Sequence, residues 1–151
     1  MKTFKDLKTQ FPVAVESDWH QHANGGGWVQ NTATVATKAF VGPDATVCDS
    51  ARVYGNARVY GNARVHGYAQ VFGNATVCGT AEVCDSTRVW GNARVGDNAL
   101  VSGYAMVCDS ARVYDTAQVY GTAQVYGNAT VYGTALVCDS TRVYGSTLVS
   151  Q

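Results

Sequence analysis

Valine recurs at every sixth position from Val29 to Val149, twenty-one times without an insertion. A repeat this short governs the architecture before any single element can be assigned. Four residues after each valine stands a small side chain. Of the twenty such positions from Ala33 to Thr147, seventeen are Ala and the others are Thr87, Thr141 and Thr147. The intervening residues read Tyr-Gly-Asn, Cys-Asp-Ser or close variants, as in VYGNARVYGNARV from Val53 to Val65. In Ala-Arg-Val-Tyr the alternation has period two, so Ala and Val share one face of a short strand while Arg and Tyr share the other. The next two residues, Gly or Asp and then Asn, Ser or Thr, are types that tolerate left-handed backbone or bond to their own turn.

A strand and a turn every six residues cannot be built from hairpins, because each strand would have to reset the same inward pair. Three equal sides per circuit resolve this, giving an 18-residue triangular coil whose strands stack in parallel on their counterparts 18 residues away. The 123 residues from Val29 to Gln151 then make about seven coils, a prism roughly 33 Å long at ~4.8 Å per coil. Composition agrees: with no Ile and four Leu against the many Val and Ala, the chain suits sheet better than helix packing.

The motif resembles the hexapeptide repeat of left-handed parallel β-helix proteins, an aliphatic residue followed four positions later by a small one, over residues 29–151. The resemblance implies an all-β, left-handed parallel β-helix. A more restricted likeness joins DWHQHANGGGWVQNTATV (Asp18 to Val35) and the VYGNARVYGNARV run to short hexapeptide-repeat proteins of phages, prophages and gut bacteria, which are often labelled transferases from fold alone.

Residues 1–28 are expected to form an N-terminal cap and 29–151 the repeat domain. Thr3 and Asp6 have the spacing of a helix-capping pair, with Phe4, Leu7 and Phe11 on one helical side. Pro12 ends the helix, and Val13 and Val15 suggest a strand. Trp19 and Trp28, around Gly25-Gly26-Gly27, are expected to cover the open end of the Val/Ala core. At the opposite end, Leu136, Val137, Val143, Leu148 and Val149 lie near the last rung, where uncovered apolar core and strand edges favour association. The expectation is a homo-oligomer, formed end to end at the C-terminal end or as a trimer.

Outward residues fall into columns by adding 18. One column reads Gln30, Cys48, His66, Cys84, Ser102, Tyr120, Cys138. No two cysteines occupy neighbouring rungs of any column, so no intrachain disulfide is expected, and partnerless surface thiols fit a reducing cytosol. Cys48, His66 and Cys84 invite a zinc reading, but the two cysteines stand about 10 Å apart, too far to share one ion readily. His66 and Cys84 remain as weak metal candidates, and the expectation is no metal and no cofactor. His20 and His22 are read as packing around the two tryptophans. The repeated Cys-Asp-Ser-x-Arg is read as a structural Asp–Arg pairing across a turn.

The binding candidate is the aromatic ladder Tyr54, Phe72, Trp90, Tyr126 and Tyr144, beside Arg52, Arg88 and Arg142. Tyr, Trp and Arg are enriched at protein interfaces, although stacked aromatics also stabilise parallel sheets without any partner. Sugars or bases could stack on such a ladder too. With 11 Lys+Arg against 11 Asp+Glu, however, phosphate-driven nucleic-acid binding and polybasic membrane anchoring are disfavoured. No apolar run approaches the roughly 18 residues of a membrane span, and the polar start MKTFKDLKTQ leads to a cytoplasmic expectation.

Catalysis finds few parts. The fold resemblance implies acyltransferases with a histidine near a trimer groove and loop excursions that build a coenzyme site. Here the hexads run without excursion, and His66 is the one histidine of the prism. A metal-dependent hydratase would need several converging histidines, and ice binding would want a flat Thr array. The reading is therefore a rigid, non-catalytic scaffold that offers flat Tyr/Trp/Arg faces to a protein partner. The phage likeness adds a role in inhibiting or sequestering a host defence component. The alternative is an acyl-CoA-dependent acyltransferase with His66 as its base.

Overall fold

Each hexad contributes one strand two or three residues long, such as Arg52–Val53, Arg58–Val59 and Arg64–Val65. The turn residues that follow break every strand before it can lengthen. In the computed structural model, which describes residues 1–151, strands 18 residues apart pair in parallel. Val53 lies opposite Val71 and Val71 opposite Val89, with Arg52, Gln70 and Arg88 in register beside them. Three sheets result, of eight, seven and seven strands. The molecule is an all-β parallel solenoid of about seven coils with one short N-terminal helix.

The inward valines and alanines form a single continuous cluster of 35 buried residues from Val29 to Val143. Thr87 takes an alanine place and is fully buried; its hydroxyl donates to the Val101 carbonyl at 3.4 Å. The first face carries the strands from Trp28–Gln30 to Leu136–Val137, the second those from Thr34–Val35 to Arg142–Val143, and the third those from Phe40–Val41 to Leu148–Ser150.

From Asp49 to Gly145 the corners have left-handed backbone. Gly73 has φ +71°, and a Cβ there would stand 3.1 Å from the Gly91 nitrogen one rung on, so glycine suits both the dihedral and the close approach. Six aspartates adopt the same conformation, with φ between 53° and 60°. Five of these carboxylates accept a backbone N–H from the next rung: Gly67 to Asp49 at 3.0 Å, Gly103 to Asp85 at 2.9 Å, Asp115 to Asp97 at 3.3 Å, Gly127 to Asp109 at 3.0 Å and Gly133 to Asp115 at 2.9 Å. The expected Asp–Arg pairing is corrected accordingly, because no Cys-Asp-Ser-x-Arg stretch contains an ion pair. In three of the four stretches the carboxylate (Asp49, Asp85, Asp109) accepts a backbone N–H instead, and Asp139 accepts from the Cys138 thiol.

Helix α1 (Phe4–Gln10) begins at Thr3, whose hydroxyl accepts from the Asp6 N–H while the Asp6 carboxylate accepts from the Thr3 N–H. The strand suggested for Val13 and Val15 does not form: Val13 is 92% exposed, and a 3-10 turn follows at Glu16–Asp18. Strand β1 (Trp19–Gln21) then pairs antiparallel with β2 (Trp28–Gln30).

Trp19 and Trp28 do not close the end of the core. With Leu7 and Cys48 they make a separate cluster, joined by Phe4 and Phe11, on the outside of the first face. The reason is the parity of the strand. Trp28 immediately precedes the inward Val29 and must point outward, where its indole N–H donates to the Lys2 carbonyl at 2.8 Å. No helix is long and apolar enough to cross a membrane.

Candidate interaction surface

On the second face the residue after each inward valine points out and meets its counterpart one rung away. Tyr54 and Phe72 stack with centroids 4.8 Å apart and planes 1° from parallel, and Phe72 and Trp90 stack at 5.7 Å and 3°. Cys108 interrupts the row, which resumes with Tyr126 and Tyr144 at 5.5 Å. The residues before each valine form a second column, in which Arg52, Gln70, Arg88, Met106, Gln124 and Arg142 follow in register. Arg52, Arg88 and Arg142 are exposed, and none is in an ion pair.

The far wall of this face escapes a reading of strand positions alone, because it stands on corner residues. Tyr68 and Tyr104 are each 69% exposed and lie two rungs apart with the small Ser86 between them. With Gln70, Arg88 and Met106 as floor they border a recess of about 400 Å³. The signal was present in the sequence: among corner residues spaced by 18 (Ser50, Tyr68, Ser86, Tyr104, Thr122, Ser140), two large aromatics alternate with small residues. The second face thus carries a row of stacked rings beside an Arg/Gln/Met column, with a trough where the corner tyrosines stand over that column. The third face holds a smaller dent of about 280 Å³ where Gly96 interrupts a column, beside Cys78, Arg94, Arg112 and Tyr114. Tyr114 and Tyr132 stack below it at 5.6 Å.

The first face is ionic. His66 stands between two carboxylates, with Nε2 2.6 Å from Glu82 Oε1 and Nδ1 3.8 Å from Asp49 Oδ2. The Arg64 guanidinium lies 3.9 Å from the other Glu82 oxygen and 5.3 Å from the Phe11 ring centroid, and its Nε is buried without a hydrogen-bond partner. Glu82 is the functional candidate that sequence reasoning missed. It precedes Val83 and so sits beside the Cys84 column instead of in it. The metal-ligating atoms of His66, Glu82 and Cys84 all lie within 4.8 Å of one another.

All five cysteines are free. Two are not surface thiols as expected: Cys48 is 3% exposed beneath the cap and Cys84 8%. Burial, reinforced by the Asp49 charge, pushes the Cys48 thiol up to about 12. Burial with Asp85 and Glu82 pushes Cys84 to about 11, and burial with Asp109 does the same for Cys108. Of the cap histidines, His22 is buried with Nδ1 on the Asn24 backbone, while His20 is exposed and bonds the Asn31 side chain at 2.8 Å. At the last rung Val137 and Val143 are buried and Val149 is half-buried. Leu136 and Leu148 point outward, on the first and third faces respectively, so the five residues do not form one apolar patch.

A family model described as YdcK Beta solenoid repeat matches residues 51–67, 93–109 and 123–139. Each matched stretch starts on an inward alanine and ends on the left-handed Gly or Asp of a corner, nearly one circuit later. The repeat is a β-solenoid repeat. No curated protein and no solved structure matches the chain.

Proposed function

We propose that this solenoid is a rigid, non-catalytic binding scaffold whose second face takes a segment of a partner protein. The observation that supports this most is the trough. Its two exposed corner tyrosines border a floor that carries Arg88, which has no carboxylate partner, and the row of parallel rings runs alongside. An unpartnered arginine beside exposed tyrosines suits a segment that offers a carboxylate beside apolar or aromatic side chains. The backbone beneath is fixed by stacked rungs, so little order has to be gained on binding. The phage likeness of the opening segment extends this reading to the sequestering of a host defence component, and the free thiols suit a cytoplasmic setting.

The test compares the intact chain with Arg88→Glu and with Tyr68→Ala/Tyr104→Ala. These residues are outward and exposed, so the far-UV spectrum should not change. A partner recovered from the cells that encode the protein should bind both variants at least about tenfold more weakly, the loss expected of central aromatic and arginine contacts. Equal affinity for all three proteins would remove the second face as the binding surface. For association between copies, the candidate region is the rung of Leu136, Val137, Val143, Leu148 and Val149. Light scattering that finds a monomer at high concentration would count against it.

The acyltransferase reading draws on His66, the one prism histidine, held next to carboxylates. Its Nε2 is engaged by Glu82 at 2.6 Å, which leaves the ring poorly placed to take a proton from an acceptor hydroxyl. Thermal unfolding with and without acetyl-CoA separates the two readings, since a bound ligand raises the midpoint by mass action.

A further inference from the structure

We propose that His66 Nε2, the Glu82 carboxylate and the Cys84 sulfur form a site for one divalent transition-metal ion of the zinc type, on the first face. The site does not depend on the trough of the second face, and the two can fail separately. It arises from two simple features of the fold. Glu82 and Cys84 flank the inward Val83, so the pleat turns both outward from one strand. His66 stands in the Cys84 column one rung away, and the parallel pairing of Val65 with Val83 brings the imidazole over both.

Imidazole nitrogen, carboxylate oxygen and thiolate sulfur are the donor types that zinc takes in tetrahedral sites. Bond lengths of about 2.0 Å to N and O and 2.3 Å to S put tetrahedral ligand atoms roughly 3.3–3.7 Å apart. The Nε2–Oε1 pair, now 2.6 Å apart, must open by somewhat under ~1 Å, and a pair at the 4.8 Å limit must close by about 1 Å. Small rotations of the partly exposed Glu82 and His66 side chains supply movement of that size. The fourth position faces solvent, because His66 and Glu82 are each only partly covered.

A second observation points the same way. Asp49 Oδ2 lies 3.8 Å from His66 Nδ1, and the same oxygen accepts the Gly67 N–H at 3.0 Å, so a carboxylate pinned to the backbone stands behind the ring. At 3.8 Å this is a charge contact and not a hydrogen bond; it places a negative charge behind the ring, on the side where metal-ligating histidines characteristically meet a carboxylate. Asp49, Glu82 and Asp85 oppose the single nearby guanidinium of Arg64, so the surroundings favour a cation.

Binding is balanced in protons. Cys84 gives its thiol proton to solvent. Nε2 gives up the hydrogen it shares with Glu82, either to solvent, if the ring is imidazolium, or by a shift to Nδ1, if it is neutral. One or two protons are therefore released per ion.

The experiment is a Co(II) titration of the reduced, metal-free full chain followed by absorption spectroscopy. We expect a thiolate-to-metal charge-transfer band and four-coordinate d–d bands that saturate at one equivalent and are displaced by Zn(II). Cys84→Ser should abolish the charge-transfer band. His66→Ala and Glu82→Gln should each weaken binding at least tenfold, and Asp49→Asn, which removes a negative charge 3.8 Å from Nδ1, should weaken it less than either. Cys78→Ser, Cys108→Ser, Cys138→Ser and His20→Ala/His22→Ala should leave the spectrum unchanged. Circular dichroism of each variant checks that the solenoid is intact, and all the ligand positions point away from the core. The proposal is overturned by absence of the thiolate band, by its survival in Cys84→Ser, or by its loss in any of the four control proteins.

Discussion

A left-handed aspartate is a costly choice unless its side chain gives something back. An L-residue in that region loses roughly 1–2 kcal/mol to the clash of Cβ with its own backbone. At Asp49, Asp85, Asp97, Asp109 and Asp115 the carboxylate offsets this by accepting a backbone N–H from the next rung. Replacing Asp109 by Ala keeps the steric cost and loses a charge-assisted bond. It should therefore destabilise the protein by about 1–3 kcal/mol in urea unfolding, while Asp109→Gly, which relieves the sterics, should cost less. Equal losses for the two would mean that the hydrogen bond contributes little. These bonds were hard to foresee because the acceptor's partner is a main-chain nitrogen 18 residues away, and residue type carries no mark of it. Arginine three residues on was a visible charge and drew the wrong inference.

At the scale of elements, the hexad dictated where strands start and stop, and the Thr3–Asp6 box located the helix. The docking site of that helix was legible only through strand parity: Trp28, one position before an inward valine, could not have faced the core. Burying α1 on the flank makes it a separable layer, held by Leu7, Trp19, Trp28 and Cys48. Leu7→Ala should cost the cap about 2–4 kcal/mol. It should expose residues 1–18 to protease and let a maleimide reach Cys48, with the β-sheet spectrum retained. Continued protection of Cys48 in that variant would contradict the layered arrangement. The trough was half legible for the same kind of reason. The Tyr54–Phe72–Trp90 row beside it follows directly on the inward valines, where period and face are readable. Tyr68 and Tyr104 stand on corners, where the direction of a side chain depends on how the chain turns.

For the whole molecule, stability is shared along a stack in which each rung supports only its neighbours. A charge in the middle, Val89→Asp, places a carboxylate in a fully buried row and should cost more than about 4 kcal/mol. The result should be broad, early unfolding of the rungs on either side. The buried thiols set a pH dependence of definite sign. Cys48 rises from an ordinary 9.0 to about 12 in the folded chain, and Cys84 and Cys108 rise to about 11. Once the pH passes about 9, the unfolded thiols lose protons that the folded ones retain, so the unfolded state binds fewer protons and stability falls as pH rises. Urea midpoints should be level with respect to these thiols up to about pH 8, then fall towards pH 11. The fall should be smaller in Cys48→Ala.

Every face described above requires that residues 18 apart lie one above another. Nitroxide labels on cysteines introduced at the exposed pair Arg94 and Arg112, in a background with the native cysteines changed to serine, read that spacing directly. Directly paired positions are about 4.8 Å apart along the stack, so the labels should show strong dipolar broadening. Labels at Arg94 and Arg88, one hexad apart and on different faces, should show much less. Broadening that is absent from the 94/112 pair, or no greater there than in the 94/88 pair, would contradict the 18-residue circuit and the surfaces built on it.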